Sequence, residues 1–91
     1  MGLKLKSYDP FLSILPTIDV HGFTRDMIKC VLNEFIGDNI KLCNKKIVVI
    51  HGRGKSILKD EIHYLLSIDK RVSKYYLDMF NIGQTVIELN K

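Results

Sequence analysis

The sequence predicts an α/β fold, specifically an α+β two-layer sandwich with the order β-α-β-α-β-β, and three observations support this prediction. A β-branched run at residues 46–50 is typical of a strand buried on both faces, as in a parallel sheet. This run and an earlier one at residues 17–20 are each followed by a His-Gly pair and then by a helical pattern. Two further strand-like runs close the chain with only a short turn between them. We therefore expect a four-stranded mixed sheet with two helices on one face.

The first βα unit is predicted at residues 17–39. Thr17–Val20 is interpreted as a short strand, and Gly22 breaks its pattern. Thr24 is a suitable N-cap for the first helix, and the helix is expected to end over Gly37–Asn39. Its apolar residues follow the spacing of one helical face: Ile28, Val31, Leu32, Phe35 and Ile36.

The second half of the chain supplies the other elements. The strand Lys46–Ile50 leads into a turn and a second helix, whose apolar stripe is Leu58, Ile62, Leu65 and Leu66. Val72–Met79 and Thr85–Leu89 are interpreted as the last two strands, with a turn at residues 81–84 between them. Parallel pairing is expected for the first two strands because a helix connects them.

Composition and charge restrict the class of protein. Ninety-one residues are enough for one domain, and no apolar run approaches the ~20 residues that span a bilayer. Without a secretory signal or a disulfide framework, a cytoplasmic location is expected and no membrane partner. The net charge is +4, and the stretch from Lys41 to Lys59 contains six basic residues and no acidic one. This stretch favours an anionic partner, although it could also be a solvated lysine-rich face.

The two His-Gly pairs are expected to meet. Each pair follows a strand, at His21-Gly22 and at His51-Gly52. If the two strands are parallel, both turns open at the same edge of the sheet, where open α/β sheets bind ligands.

The second turn is the stronger candidate for phosphate binding. Glycines at 52 and 54 let the backbone approach a ligand, and a helix starting near residue 56 offers unpaired N–H groups. The alternative is a tight turn that needs glycines for its shape alone. The candidate phosphate-binding residues of both turns are Gly22, Arg25, Gly52, Arg53, Gly54, Lys55, Ser56 and Lys59.

Asp19, His21 and His51 are the candidate catalytic residues. Asp19 and His21 would lie on the same face of the first strand, so that the carboxylate can orient the imidazole. With His51 nearby, this edge has the groups needed for acid–base attack on a phosphodiester. The alternative is that each histidine only caps a turn. No cofactor or metal site is evident from the spacing, and His63 is interpreted as a surface residue away from the loops.

Several motifs together resemble those of the Smr (small MutS-related) domain. Ile18–Gly22 is similar to its Leu-Asp-Leu-His-Gly motif, and His51–Gly54 to its His-Gly-x-Gly motif. Residues 57–59 and 83–89 also correspond, so the resemblance covers residues 17–89. Residues 15–17 resemble small stand-alone bacterial members. Ser56 stands where many members have a glycine, and the turn at residues 81–84 also departs from the family pattern.

Residues 1–16, which have no clear period and contain Pro10 and Pro16, are interpreted as an N-terminal arm, and the resemblance implies an Smr-like domain at residues 17–91. It implies a fold similar to the C-terminal domain of bacterial translation initiation factor three. It further implies an endonuclease that nicks DNA or cleaves RNA on stalled ribosomes, with Asp19, His21 and the motif at residues 51–54 at its site. The alternative is a non-catalytic module that binds DNA or RNA, or that docks on a ribosome or a repair factor. A monomer is favoured, and the sequence leaves DNA or RNA and any requirement for a divalent metal open.

Overall fold

The computed structural model describes residues 15–54 and 57–90. Its elements are β1 (Thr17–Asp19), α1 (Arg25–Lys41), β2 (Lys46–Ile50), α2 (Ile57–Ser67), β3 (Val72–Asp78) and β4 (Asn81–Leu89). This order confirms the predicted β-α-β-α-β-β arrangement. Most of the predicted N-terminal arm lies outside the described residues, as do Lys55 and Ser56 of the predicted phosphate loop.

The four strands form one mixed sheet in the order β1-β2-β4-β3. The edge strand β1 pairs with β2 in parallel, from Thr17 opposite Val48 to Asp19 opposite Ile50. The long strand β4 is antiparallel to both of its neighbours. The carboxyl ends of β1 and β2 therefore lie at the same edge of the sheet, as predicted.

The core lies between the sheet and the two helices. Alternating residues of the central strands point to the same face, because side chains alternate along a strand. Both helices cover this face, and the buried cluster joins α1, α2, β2 and β4 through Ile28, Leu32, Ile36, Ile47, Val49, Ile62, Leu66, Ile87 and Leu89. The predicted two-layer arrangement is thus confirmed.

Neither helix of the described residues is long and apolar enough to cross a membrane.

The first helix is longer than predicted. Thr24 caps it as expected, but it continues to Lys41 instead of ending at Gly37–Asn39. The buried side-chain amide of Asn39 explains the difference, because it donates to the carbonyl of the preceding turn at 2.8 Å and accepts a bond from the following loop. The chain then leaves the helix through a positive φ of 64° at Cys43.

The turn between the last two strands was predicted at the wrong place. Instead of residues 81–84, the turn consists of Met79 and Phe80, and β4 already begins at Asn81. Asp78 pairs with Asn81 across this turn, and its carboxylate accepts a 2.8 Å bond from the Phe80 N–H. The Asp78 carboxylate therefore closes this turn, whereas the prediction had relied on Gly83 as a turn residue.

Candidate functional site

The two His-Gly turns meet at one edge of the sheet. Both Gly22 and Gly52 have a positive φ, of 83° and 95°, which favours glycine in the left-handed region. The Val20 N–H continues the pairing beyond β1 by donating to the Ile50 carbonyl at 2.8 Å. A Cβ placed on Gly52 would lie 3.6 Å from the Cβ of His21. The turns therefore lie close enough that a side chain at position 52 would contact His21, and a shallow groove opens between them.

Asp19 and His21 form a hydrogen-bonded pair on the rim of this groove. The Asp19 Oδ1 atom lies 2.6 Å from Nδ1 of His21 and also accepts the His21 backbone N–H at 3.1 Å. A carboxylate can only accept here, so Nδ1 carries the proton, and no residue that the structure describes forms a hydrogen bond with Nε2. The imidazole hydrogen bond is the main cause that lowers the pKa of Asp19, which therefore remains ionised. Both side chains are exposed, at 71% for His21 and 49% for Asp19.

His51 lies directly behind the groove, but its ring is turned into the protein. Only 4% of the residue is exposed. Its Nδ1 atom lies 3.1 Å from the Gly52 carbonyl, and its Nε2 atom lies 2.8 Å from Oγ1 of Thr85 on β4. Because a carbonyl only accepts, Nδ1 donates and Nε2 accepts the Thr85 hydroxyl proton. Both ring nitrogens are thus used within the protein.

His63 shares the same hydroxyl, which corrects its interpretation as a surface residue away from the loops. Its Nε2 atom lies 2.8 Å from Thr85 Oγ1, and its ring centroid lies 6.3 Å from that of His51. Since the Thr85 proton goes to His51, His63 must donate to the threonine oxygen. The result is a directed chain of hydrogen bonds from α2 through β4 to the second His-Gly turn. We call His63, Thr85 and His51 the histidine–threonine chain.

Burial keeps the two histidines of this chain neutral. Desolvation is the main cause that lowers the pKa of His51. The hydrogen bond to the Gly52 carbonyl raises this pKa, and the charge of Lys59 lowers it further. Desolvation is also the main cause that lowers the pKa of His63, followed by the charges of His51 and Lys59. A neutral His51 is what the directed chain requires, because its Nε2 must be unprotonated to accept the Thr85 hydroxyl proton.

The sequence contains signals for Thr85 and His63 that the prediction of the site did not use. Thr85 alternates with Ile87 and Leu89, so it must face the helices. His63 lies three residues before Leu66, on the edge of the apolar stripe of α2.

A third segment, the start of β4, supports the second turn. The carbonyl of Gly83 accepts the backbone N–H groups of both His51 and Gly52 at 2.9 Å. A Cβ on Gly83 would lie 2.7 Å from Cγ of Arg53 and 3.4 Å from the Gly52 carbonyl carbon. Gly83 was predicted to be part of a turn, but here a glycine within a strand permits close approach of another backbone, which is its recognised role.

The predicted cations are placed unequally. Arg25 forms an ion pair with Glu61 of α2 at 3.1 Å, at the side of the groove. Lys59 lies 3.9 Å from Asp60 and close enough to influence both buried histidines. Arg53 is exposed on the second turn, and no residue in 15–54 or 57–90 forms an ion pair with it.

The groove itself is lined by both turns and the start of α2. Its described residues are His21, Gly22, Phe23, His51, Gly52, Arg53, Gly54, Ile57 and Leu58. Within the described ranges, no acceptor takes a hydrogen bond from the N–H groups of Arg53 and Gly54. These two donors and the Arg53 guanidinium suit an oxyanion such as a phosphate.

The tyrosines Tyr75 and Tyr76 of β3 are not among the residues that line the groove. The ring of Tyr75 packs edge-on against His63 with centroids 5.0 Å apart, and the Tyr76 hydroxyl donates to Glu88. No three His, Cys, Asp or Glu side chains of the described part of the chain converge as metal ligands do.

Comparison with known proteins gives a consistent result. The sequence profile of the Smr domain matches residues 18–89. The crystal structure of the Smr domain of Thermus thermophilus MutS2 superposes with a TM-score of 0.81 at 22% identity, covering 85% of this chain and 100% of that one. This likeness shows a shared fold.

Two full-length relatives are also similar in sequence. The endonuclease MutS2 of Caldanaerobacter subterraneus is 30% identical over 93 residues, covering 93% of this chain and 12% of the relative. The ribosome rescue factor SmrB of Buchnera aphidicola is 35% identical over 78 residues, covering 81% of this chain and 40% of the relative. The chain thus spans less than half the length of either relative.

Proposed function

The chain belongs to the Smr domain family, and from this premise we propose that it binds nucleic acid and cleaves the phosphodiester backbone in the groove between its two His-Gly turns. The observation that carries the proposal is the pair of Asp19 and His21 at 2.6 Å, with the free Nε2 of His21 on the rim of a groove rich in anion-binding groups. Its relatives include one protein named an endonuclease and another named a ribosome rescue factor.

His21 would perform the proton transfer. With Nδ1 donating to Asp19, the lone pair of Nε2 can take the proton of the attacking hydroxyl, either water or a ribose 2′-hydroxyl. The new P–O bond forms as the bond to the leaving oxygen breaks, and protonated His21 can return its proton to that oxygen. Asp19 stabilises the imidazolium through its charge and holds the ring in place.

Arg53 and the turn amides would hold the phosphate. The N–H groups of Arg53 and Gly54 face no described acceptor, and the guanidinium can add a charge-assisted bond to a phosphate oxygen. We also assign Lys55 and Ser56 to this loop on sequence grounds. Lys59 contributes positive charge near His51 and His63.

His51 would be a positioning residue in this proposal. Both of its ring nitrogens are engaged, by the Gly52 carbonyl and by Thr85, so it has no free nitrogen for the substrate. Its contribution is to fix the orientation of the Gly52 peptide and hence the shape of the phosphate loop. This role replaces that of acid–base partner to His21, which the sequence suggested.

A second candidate function is a nucleic-acid-binding module without chemistry. The enclosed ring of His51 favours this function. Among the described residues of the groove, it leaves His21 as the one exposed imidazole, without the second acid–base group that the sequence suggested. Such a module requires the cations and the turn amides but no proton transfer.

Cleavage of matched single-stranded RNA and DNA, with and without a chelator, separates these functions. The wild-type chain should produce fragments, and His21→Ala should lower the rate by about 10²- to 10⁴-fold while retaining salt-sensitive binding. Asp26→Asn, an exposed carboxylate at the start of α1, is the control and should cleave at the wild-type rate. Binding without fragments would establish the binding module, and neither binding nor fragments would reject both functions.

A further inference from the structure

The tip of the β3–β4 hairpin exposes large apolar side chains. Met79 is 88% exposed, Phe80 is 98% exposed and Ile82 is 51% exposed. Single exposed apolar residues are common on protein surfaces, but three within four residues at a turn indicate a contact surface. We call residues 79–82 the hairpin tip.

The hairpin tip is held in a defined conformation. One carboxylate oxygen of Asp78 accepts the Phe80 N–H, and the other accepts the side-chain amide of Gln84, both at 2.8 Å. The side chain of Asn81 accepts the Gly83 N–H at 3.0 Å and donates to Gln84 at 3.3 Å. Phe80 is therefore presented on an ordered turn, and binding at the tip requires little further ordering of the main chain.

The same hairpin is attached to the groove. The Gly83 carbonyl binds the second His-Gly turn, and Gln84 pairs with Ile50 at the end of β2. Phe80 precedes Gln84 by four residues, so at about 3.3 Å per residue it lies at most roughly 13 Å past the end of β2. An unpaired strand whose phosphate lies in the groove can span this distance within a few nucleotides.

We propose that Phe80, with Met79 beside it, is a platform on which an unpaired base of the bound nucleic acid stacks. This inference rests on the proposed function and extends it, since it specifies a substrate that is single-stranded within a few nucleotides of the bound phosphate. An aromatic ring can stack on any base without sequence preference. In a duplex, the faces of a base are covered by its neighbours, so a fully paired substrate cannot use the platform.

The position and the charge of the site favour a nucleic acid over a protein as the occupant of the tip. The hairpin is fixed to a groove that offers the Arg53 guanidinium and backbone N–H groups with no acceptor among the described residues, and the chain carries a net charge of +4. A strand held there by its phosphate passes the hairpin tip within a few nucleotides, so stacking on Phe80 adds to phosphate binding on the same ligand.

The test compares the affinities of Phe80 variants for a single-stranded oligonucleotide and for a blunt duplex of the same sequence at one salt concentration. Phe80→Leu keeps the apolar character but removes the aromatic face, so it should weaken single-strand binding about tenfold and leave duplex binding unchanged. Phe80→Tyr should bind as the wild type does. Leu42→Ala is the control, because Leu42 is 70% exposed after α1 and should have no effect on either ligand.

An abasic scan identifies the stacked base. An abasic site at one position of the oligonucleotide should weaken its binding to the wild type by the same factor as Phe80→Leu does, about tenfold. The same abasic site should not weaken binding to Phe80→Leu any further. Unchanged single-strand binding by Phe80→Leu, or equal weakening for strand and duplex, would overturn the stacking proposal alone. If the wild type binds neither oligonucleotide, the proposed function fails with it, and the hairpin tip then fits a protein partner.

Discussion

The Nε2 atom of His21 receives no hydrogen bond from residues 15–54 or 57–90, whereas the rings of His51 and His63 share the hydroxyl of Thr85. This difference in environment separates residues of the same type into two roles. The exposed ring is available for proton transfer, and the two enclosed rings connect α2, β4 and the second turn.

Asp19→Asn tests the role of the carboxylate that orients His21. An amide carries no charge to stabilise the imidazolium, and its nitrogen can donate to Nδ1 and so invert the tautomer. At each pH between 6 and 8, the variant should cleave about tenfold or more slowly than the wild type. The effect should cover this whole range because the His21 hydrogen bond lowers the pKa of Asp19, so the wild-type carboxylate is ionised throughout it. Single-turnover rates at several pH values measure this effect, and a wild-type rate would remove Asp19 from the mechanism.

Thr85→Val tests the histidine–threonine chain. Valine has nearly the same shape but leaves the Nε2 atoms of His51 and His63 without their partner inside the protein. We expect a loss of about 2 to 4 kcal/mol in the free energy of unfolding, measured by urea denaturation. The same substitution at the exposed Thr17 is the control, where a change within about 0.5 kcal/mol is expected. Equal effects at both positions would contradict the importance of the chain.

The sequence predicts local pairs of residues better than distant ones. Asp19 and His21 could be placed together because side chains two apart on a strand share a face. The contact between His63 and Thr85 spans 22 residues and depends on how α2 lies on β4, which no local pattern specifies. For the same reason the enclosure of His51 could not be predicted.

At the scale of elements, the start of β4 supports the second His-Gly turn through backbone hydrogen bonds. Its Gly83 carbonyl binds two consecutive N–H groups of the second turn, so the hairpin and the turn must move together. The pattern Asn-Ile-Gly-Gln favoured a turn at residues 81–84, but Met79-Phe80, which lacks the usual turn residues, forms it instead.

Gly83→Ala should separate the hairpin from the turn. The added Cβ would lie 2.7 Å from Arg53 Cγ, 3.2 Å from Asn81 Oδ1 and 3.4 Å from the Gly52 backbone, and relief of this crowding should cost about 1 to 3 kcal/mol of stability. Phosphate-dependent binding should weaken as well.

Gly37→Ala is the matched control for this substitution. Gly37 lies inside α1, and a Cβ there meets only Arg71 Nη1, at an ordinary 3.6 Å. It should instead raise stability by about 0.5 to 1 kcal/mol, because alanine is the better helix former. Thermal unfolding of both variants should show a lower stability for Gly83→Ala and a higher one for Gly37→Ala. A Gly83→Ala variant with wild-type stability and wild-type binding would refute the coupling between the hairpin and the second turn.

At the scale of the whole molecule, the sequence predicted the number, order and layer of the elements, and the parallel pairing of β1 with β2. It did not specify that β4 inserts between β2 and β3. The apolar pattern of the central strands is compatible with more than one strand order, and the burial of His51 and Thr85 in the core depends on the order that forms.

Stability should fall as the solution is acidified below neutrality. The pKa values of His51 and His63 are lowered from 6.5, so just below this pH the folded chain binds fewer protons than the unfolded chain. Unfolding is therefore favoured as the pH falls through 6.5. The thermal midpoint should decrease between pH 7.5 and pH 5.5, and His63→Gln should flatten this dependence. A midpoint independent of pH in the wild type would contradict the enclosure of these rings.

Among the described strands, β1 has three residues and pairs with β2 alone. Asp19 lies on this strand and His21 follows it, so half of the site is carried by the least anchored part of the sheet. Local detachment of such an edge costs far less than global unfolding, and its amide protons exchange with solvent correspondingly sooner. A strand of nucleic acid bound across both turns would hold this edge in place. Slower amide exchange at residues 17–20 would then report directly on occupancy of the groove.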